Sequence, residues 1–355
     1  MMDEPSPNFE RVLAALHCEE PDRVPPAEIW VDQEVRDEFM GYPVRSIEEE
    51  VAFWKSAGFD FVALDNDLWS TPQIQGSLLS PVKDTAHIYT GGREDRGWVA
   101  EQAGIIKSWD DVERFTWPRV EELDFSSLER IGQYLPPNMK VIMTFGHIYT
   151  AAWQLMGFEN FCVMLYEDLP MVKEIIRRIG EEVLKQTEKI LTFDSVGAMC
   201  FQDDIAYASG PIISISMLRE LFFPWLAEIA SICHSRGRQL IYHTDGDATP
   251  LLPDMVAAGV DAFQAIEPKV MDIVAIKQAY GGRLALMGNL DLGYTLTRGT
   301  SQEVEEAVKY LLKYVAPGGG FLLGSCNSIT NYVPLENFKT MMHIILKYGR
   351  YPISL

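Results

Sequence analysis

The chain has 355 residues, 47% hydrophobic and 23% charged, enough for a sizeable core in one large domain or two ordinary ones. Its formal charge of −21 disfavours nucleic acid and anionic membranes as partners, and no apolar run approaches the roughly 20 residues of a membrane span. Five cysteines (Cys18, Cys162, Cys200, Cys233, Cys326) without a CxxC pair suit a reducing cytoplasm, and the acidic start MMDEPSPNFE lacks a signal-peptide layout.

Residues 1–23 read as an N-terminal helical segment. Short, β-rich apolar runs then recur, each ending in polar residues. They are VPPAEIWVD (24–32), FDFVALDND (59–67), KVIMTFGH (140–147), VGAMCFQDD (196–204), RQLIYHTDG (238–246), VDAFQAIEP (260–268), RLALMGNLD (283–291) and GFLLGSCNS (320–328). Helical periodicity fills most of the gaps, the pattern of a parallel sheet covered on its outer face. Eight such units predict an α/β fold, a single (β/α)8 TIM barrel spanning 1–355. The stretch 68–139, after the second strand, is too long for a simple βα loop. Within it VKDTAHIYT and REDRGWVAEQAG resemble a hairpin, expected to cover part of the barrel mouth. After the fourth strand, 214–238 reads as one helix with Leu218, Leu221, Phe222, Trp225, Leu226, Ile229 and Ile232 on its apolar face. Ser214 or Ser216 is its cap. A later helix is capped at Thr300 or Ser301 and stops at Pro317-Gly318.

Active sites of such barrels lie at the C-terminal ends of the strands. Here those ends carry Asp32, Asp65, Asp67, His147, Gln202, Asp203, Asp204, His243, Asp245, Glu267, Asn289, Asp291, Cys326 and Asn327. Many carboxylates, two histidines and one cysteine, with no lysine or arginine, suit a cation better than an anion. Zinc takes imidazole, thiolate and carboxylate, and a catalytic site keeps one position open. His243 and Cys326 are the softest donors, with Asp245, Glu267 or Asp203 available to complete the set. His243 and Asp245, two apart, point the same way along a continuing strand. The structural alternative has His243 hydrogen-bonding a neighbour and Cys326 acting as a small buried hydrophobe. The pairs Asp65/Asp67 and Asp203/Asp204 are candidates for acid–base work, each carboxylate able to raise its neighbour's pKa, or else form a solvated rim. His147, Gln202 and Asn289 are candidate pocket residues. There is no GxSxG elbow, and the glycines at 318–320 precede a strand, so they form no phosphate-binding fingerprint.

Several segments together resemble the uroporphyrinogen decarboxylase superfamily: RVLAALHCEEPDRVPP, GFDFVALDND, FGHIYTAAWQLMGFENFCVMLYEDLPMVKEII, GNLDLGYTLTRGTSQEVEEAV and GGGFLLGSCNSITNYVPLENF. The resemblance implies a (β/α)8 barrel and one of two activities, decarboxylation of uroporphyrinogen or zinc-dependent methyl transfer with a corrinoid protein. In the decarboxylase pattern Asp67 matches the catalytic aspartate. However, Asp32 replaces the first loop arginine and only Arg36 is left. Gln154 stands near the expected tyrosine, and Ser325-Cys326 replaces the last-strand histidine. Uroporphyrinogen is thereby disfavoured. In the methyltransferase pattern His243 and Cys326 match two zinc ligands, and Asp245 replaces the cysteine of a His-x-Cys pair. A harder oxygen ligand suits activation of an ether, alcohol or amine better than a thiolate. The resemblance therefore implies zinc at His243 and Cys326 with Asp245 or Glu267 third. Asp67, Asp203 and Asp204 would be catalytic, with Asp65, His147, Gln202 and Asn289 around a small methylated substrate. The alternatives are a decarboxylase or lyase on a non-porphyrin acid with Asp67 as its acid–base group, and a barrel that only binds.

Overall fold

The computed structural model describes residues 6–68, 79–81, 97–99 and 104–355. Its strands are β1 (Phe61–Asp65), β2 (Leu79–Pro81), β3 (Gly97–Val99), β4 (Lys140–Gly146), β5 (Val196–Gln202), β6 (Ala206–Tyr207), β7 (Gly210–Pro211), β8 (Gln239–His243), β9 (Ala262–Gln264), β10 (Ala285–Leu290) and β11 (Phe321–Ser325). Seven of them form one parallel sheet in the order β1-β4-β5-β8-β9-β10-β11. Chain order is kept across the sheet, as in a barrel built from successive βα units. The sheet strands are almost wholly buried, because helices cover the outer side and strand side chains fill the inner one. On the outer side, for example, Phe201 of β5 stacks on Tyr242 of β8 with ring centroids 6.2 Å apart.

The run 24–32 departs from a regular strand. It makes two isolated parallel bridges, Pro26 to Leu323 of β11 and Val31 to Ile329 just beyond that strand. Pro25 and Pro26 have no N–H to donate, so the run cannot form a full ladder. What remains is a seam along β11: Ala27 N–H donates to the Leu323 carbonyl at 2.9 Å, and Asp32 N–H to that of Ile329 at 2.7 Å. Glu28, buried in this seam, accepts from both the Ser325 backbone N–H and its hydroxyl at 2.7 Å.

The N-terminal helix is shorter than the segment read for it, Glu10–Leu16. The single helix read over 214–238 is two, Ile215–Leu221 and Phe223–Ser235. Pro224 occupies the first turn of the second, where its missing N–H costs nothing, and the first must stop before it. The Ser214 cap holds, its hydroxyl accepting from Met217 N–H at 3.3 Å. Thr300 and Glu303 form a reciprocal capping box at the start of Ser301–Tyr314. The 22-residue helix Leu169–Ile190 lays Val172, Ile175, Ile176, Ile179 and Val183 against the barrel at helical spacing.

The segments VKDTAHIYT and most of REDRGWVAEQAG lie outside the described residues. The antiparallel pair that is described joins Leu79–Pro81 to Gly97–Val99, so its first strand precedes the one read from sequence. From 104 onward the described part of the insertion packs on the outer helices and also reaches the β1 end, where the Asn66 amide donates to the Asp124 carbonyl at 3.0 Å. Ile105 and Ile106 donate to the Leu155 carbonyl, and Arg178 bonds Glu113 at 2.5 Å. Among the described residues no helix is long and apolar enough to cross a membrane.

Candidate metal centre and acidic mouth

The ends of β1, β4, β5 and β8 stand side by side and carry most of the candidate residues. In register, Asp65 pairs with Thr144, Gly146 with Gln202, and Gln202 with His243. The polar tails that follow therefore emerge as neighbours on one rim: Asp67, His147, Asp203 with Asp204, and Asp245.

At the β5–β8 corner, one ligand atom each from Asp204, His243 and Asp245 lies within 4.8 Å of the others, the group of this kind among the described residues. His243 Nε2 is 3.6 Å from an Asp245 carboxylate oxygen. The other face of the imidazole is fixed by Gln264, a buried residue of β9. Its amide nitrogen donates to the Asn327 carbonyl at 3.0 Å, which leaves its oxygen to accept from His243 Nδ1. His243 thus carries its proton on Nδ1 and presents a lone pair at Nε2. That lone pair faces two carboxylates. Asp204 accepts Asp245 N–H at 2.9 Å, and Asp245 accepts the Asn327 amide at 2.8 Å. Burial, with the charges of Asp204 and Glu267, pushes the Asp245 carboxyl up to about 6, against the opposing pull of the Asn327 amide and, whenever its ring is protonated, of His243. One imidazole nitrogen and two carboxylates grouped in this way could hold a cation. The donor set, one imidazole nitrogen and carboxylate oxygens held by second hydrogen bonds, fits a divalent metal.

Two predicted ligands lie outside this group. Glu267 accepts Gly246 N–H at 2.8 Å, bracing the turn after Asp245. Cys326 follows β11, where its N–H donates to the Leu290 carbonyl at 2.9 Å. Burial pushes its thiol up to about 12, helped by Asp291, Glu267 and Asp245.

Asp203 has a different environment from Asp204. Fully buried, it accepts the backbone N–H groups of Ile148, Tyr149 and Thr150 at 2.8, 2.7 and 2.8 Å. It caps the helix Tyr149–Met156 from a neighbouring strand end. Burial raises its carboxyl while these donors pull the other way. Asn289 is likewise engaged, donating to the Ile266 carbonyl at 3.0 Å. Gln202 is half-buried between the two halves of the rim, its carbonyl accepting His147 N–H at 3.3 Å.

A second cluster stands at the β1–β4 corner. His147 Nδ1 lies 2.9 Å from Asp67 Oδ2. Burial alone would lower the imidazole, but Asp67, with Asp203 and Asp204 behind it, outweighs burial and raises it to about 9. It is therefore an imidazolium at neutral pH. Asp65, open to the mouth, is pushed up to about 7 by the surrounding protein and by Asp67.

Sequence reading missed Gln264 as a functional residue. The available signal was a glutamine inside the apolar run VDAFQAIEP, since a buried polar side chain must have partners. It also assigned Asp204 to catalysis, because no spacing rule brings the end of β5 to His243.

Fold and site together define a barrel-like α/β protein with an acidic mouth, where Asp204, His243 and Asp245 form a group that could hold a metal ion. Residues 94–348 match the model for uroporphyrinogen decarboxylase (URO-D), and the chain belongs to that family. Methylcobamide:CoM methyltransferase MtaA of Methanosarcina barkeri is 24% identical over 192 residues, 51% of this chain and 54% of that protein. The chain thus spans about half the length of the curated relative it matches. A methyltransferase from Methanosarcina mazei shares the fold, with TM-score 0.71 at 19% identity over 97% of this chain and 99% of that one. Within the superfamily the chain stands nearer the methyltransferase branch than the true uroporphyrinogen decarboxylases.

Proposed function

We propose that this protein is a metal-dependent methyltransferase that moves a methyl group between a small substrate and a corrinoid carried by a partner protein. The observation that carries the reading is the His243 lone pair, fixed by Gln264, facing Asp245 and Asp204. The methyltransferase relatives support the reaction class. Zinc is the metal we assign, held by His243, Asp245 and Asp204, with Cys326 as a further donor once its proton is displaced. Bound there, zinc would supply Lewis acidity to a methyl-bearing heteroatom.

The chain's own residues do the rest. Gln264 fixes the His243 tautomer, and Asn327 and the Asp245 N–H orient the two carboxylates. Asp203 anchors the helix that follows His147, a positioning role. Asp65, Gln202 and Asn289 border the substrate space. We read 24–32 as the eighth stave of the barrel and the cytoplasm as the compartment.

Metal analysis of the purified protein, followed by methyl transfer between free cobalamin and small donors or thiols, tests this. About one zinc per chain, lost in His243→Ala with the activity, is the expected result. Metal-free protein that transfers methyl groups at the full rate would end the metal reading. Release of CO2 from a carboxylic acid without cobalamin would favour the decarboxylase alternative instead.

A further inference from the structure

The metal group occupies one side of the mouth, and a wall three strands away carries a carboxyl without a hydrogen-bond partner. Its direction follows from the sheet. Phe201 stacks on Tyr242 at 6.2 Å and on Phe222, between two outer helices, at 6.5 Å, while Phe145 meets it edge-on at 5.4 Å. These rings point outward. Side chains alternate along a strand, so Thr144, Cys200 and His243, each next to one of the rings, point into the barrel. Asp65 is the registered neighbour of Thr144, and Thr144 of Cys200. Asp65 therefore points inward as well, at the C-terminal end of β1.

Two polar groups on this inner row lack hydrogen bonds. Among the described residues none donates to the Asp65 carboxyl, although the side chain is exposed to the mouth. The hydroxyl of Thr144, a residue only 2% exposed, has no partner either. Buried polar groups are nearly always paired, and leaving one bare is unfavourable, so this row is suited to meet a group that the chain does not supply. The surroundings select its charge. Asp67 lies two residues on, Asp203 and Asp204 follow β5, and the strand ends carry no lysine or arginine. The basic group His147 at this corner is bonded to Asp67 at 2.9 Å. A second anion at Asp65 would be repelled, and an apolar group would leave both polar atoms stranded. An ammonium fits, because its N–H groups donate to a carboxylate and to a hydroxyl alike. Burial and Asp67 hold the Asp65 carboxyl up at about 7, and an adjacent cation favours its charged form.

We propose that Asp65, with Thr144 beside it, binds a protonated amine of the substrate, a small molecule with its methyl-bearing heteroatom at one end and an ammonium group at the other. This rests on the methyltransferase reading and names the substrate class for it. The strands β1 and β8 are three spacings apart, roughly 14 Å along the wall and less across the lumen. One small group cannot touch both Asp65 and His243. A simple methylamine, whose nitrogen carries both the charge and the methyl group, is therefore too short, and a spacer must separate the two ends.

The test measures binding to the zinc-loaded protein by calorimetry, with three ligands of one shape: para-methoxybenzylamine, para-methoxybenzyl alcohol and para-methoxybenzoate. Wild type should bind the amine about 10–100-fold more tightly than the alcohol, and the carboxylate worst, since hydrogen bonds to charged groups contribute most. Asp65→Asn should remove that preference and keep the affinity for the alcohol. Thr144→Val should weaken the amine by a smaller factor, about 3–10-fold. Melting curves check that the variants fold, and Asp65→Ser replaces Asp65→Asn if it does not. A diffuse attraction to the acidic rim fades between roughly 0.05 and 0.5 M salt, whereas a direct pair inside the barrel persists. Equal affinities for amine and alcohol, a preference that survives in Asp65→Asn, or one that salt abolishes overturns the proposal, as does failure of the amine to bind. Methyl transfer to free cob(I)alamin is then followed with the same ligands. Transfer without preference for the amine keeps the methyltransferase reading and sinks the substrate class. Amine-selective binding with no transfer from any of them ends the methyltransferase reading, and the assignment of the amine as substrate with it.

Discussion

Glu28 shows how the fold sets a single proton. It is buried, and the Ser325 N–H and hydroxyl both donate to its carboxyl. Burial pushes it up to about 8 despite those bonds. Between the ordinary glutamate range, about 4.3, and the folded value, the native chain therefore binds a proton that the unfolded chain has released. Stability from this group falls as pH rises through that window. Glu28→Gln keeps the shape and removes the titration. Its melting temperature should match wild type near about pH 5 and exceed it by a few degrees near about pH 8.5, read by thermal denaturation at both pH values. A constant gap would mean that folded Glu28 is already ionised. The metal corner makes the same point with a neutral residue. Gln264→Leu frees Nδ1 of His243 and leaves the Asn327 carbonyl unpaired, so zinc affinity should drop about 10–100-fold in chelator competition. His243 and Asp245 could be read from sequence because they end an apolar run two residues apart. Gln264 could not, because its partner lies on the next strand of the sheet.

At the scale of elements, apolar runs bounded by polar ends located β1, β4, β5 and β8 through β11 within a few residues. Burial on both faces of a parallel sheet forces such runs. What escaped the sequence was how elements terminate on one another. Asp203 reads as an acid at a strand end, yet its carboxylate serves as the N-cap of a helix that begins 54 residues earlier, at Tyr149. Thr300, by contrast, was legible as a cap because its partner Glu303 is local. The two caps should differ in cost. Thr300→Ala should lose about 1 kcal/mol in urea unfolding, the usual value for an exposed cap. Asp203→Ala strands three buried donors and should lose at least about 2 kcal/mol, since each orphaned group is penalised by desolvation. Equal losses would show that the buried cap contributes no more than an exposed one.

For the whole molecule, the decisive contact is the seam between the 24–32 run and β11, since it brings the first residues of the chain beside the last strand of the sheet. The seam is narrow because the prolines limit its hydrogen bonds, so close backbone approach has to hold it. Gly324 permits that approach: a Cβ built there would stand 1.7 Å from the Ala27 carbonyl oxygen and 3.0 Å from a Glu28 carboxylate oxygen. The obstacle is backbone, which cannot rotate aside as a side chain would. One added methyl must therefore push the two segments apart, breaking the Ala27–Leu323 bond and loosening Ser325 from Glu28, next to Cys326. Gly324→Ala should lower stability by about 3 kcal/mol or more, at the upper end of overpacking costs. Gly132, in a helical conformation with nothing within 4 Å of its Cβ position, provides the control. Gly132→Ala should be neutral or slightly stabilising. Urea unfolding of the two variants, with hydrogen exchange at Ala27 and Leu323, checks the claim. If Gly324→Ala unfolds like Gly132→Ala and its seam amides stay protected, the run 24–32 does not bear on closure of the sheet.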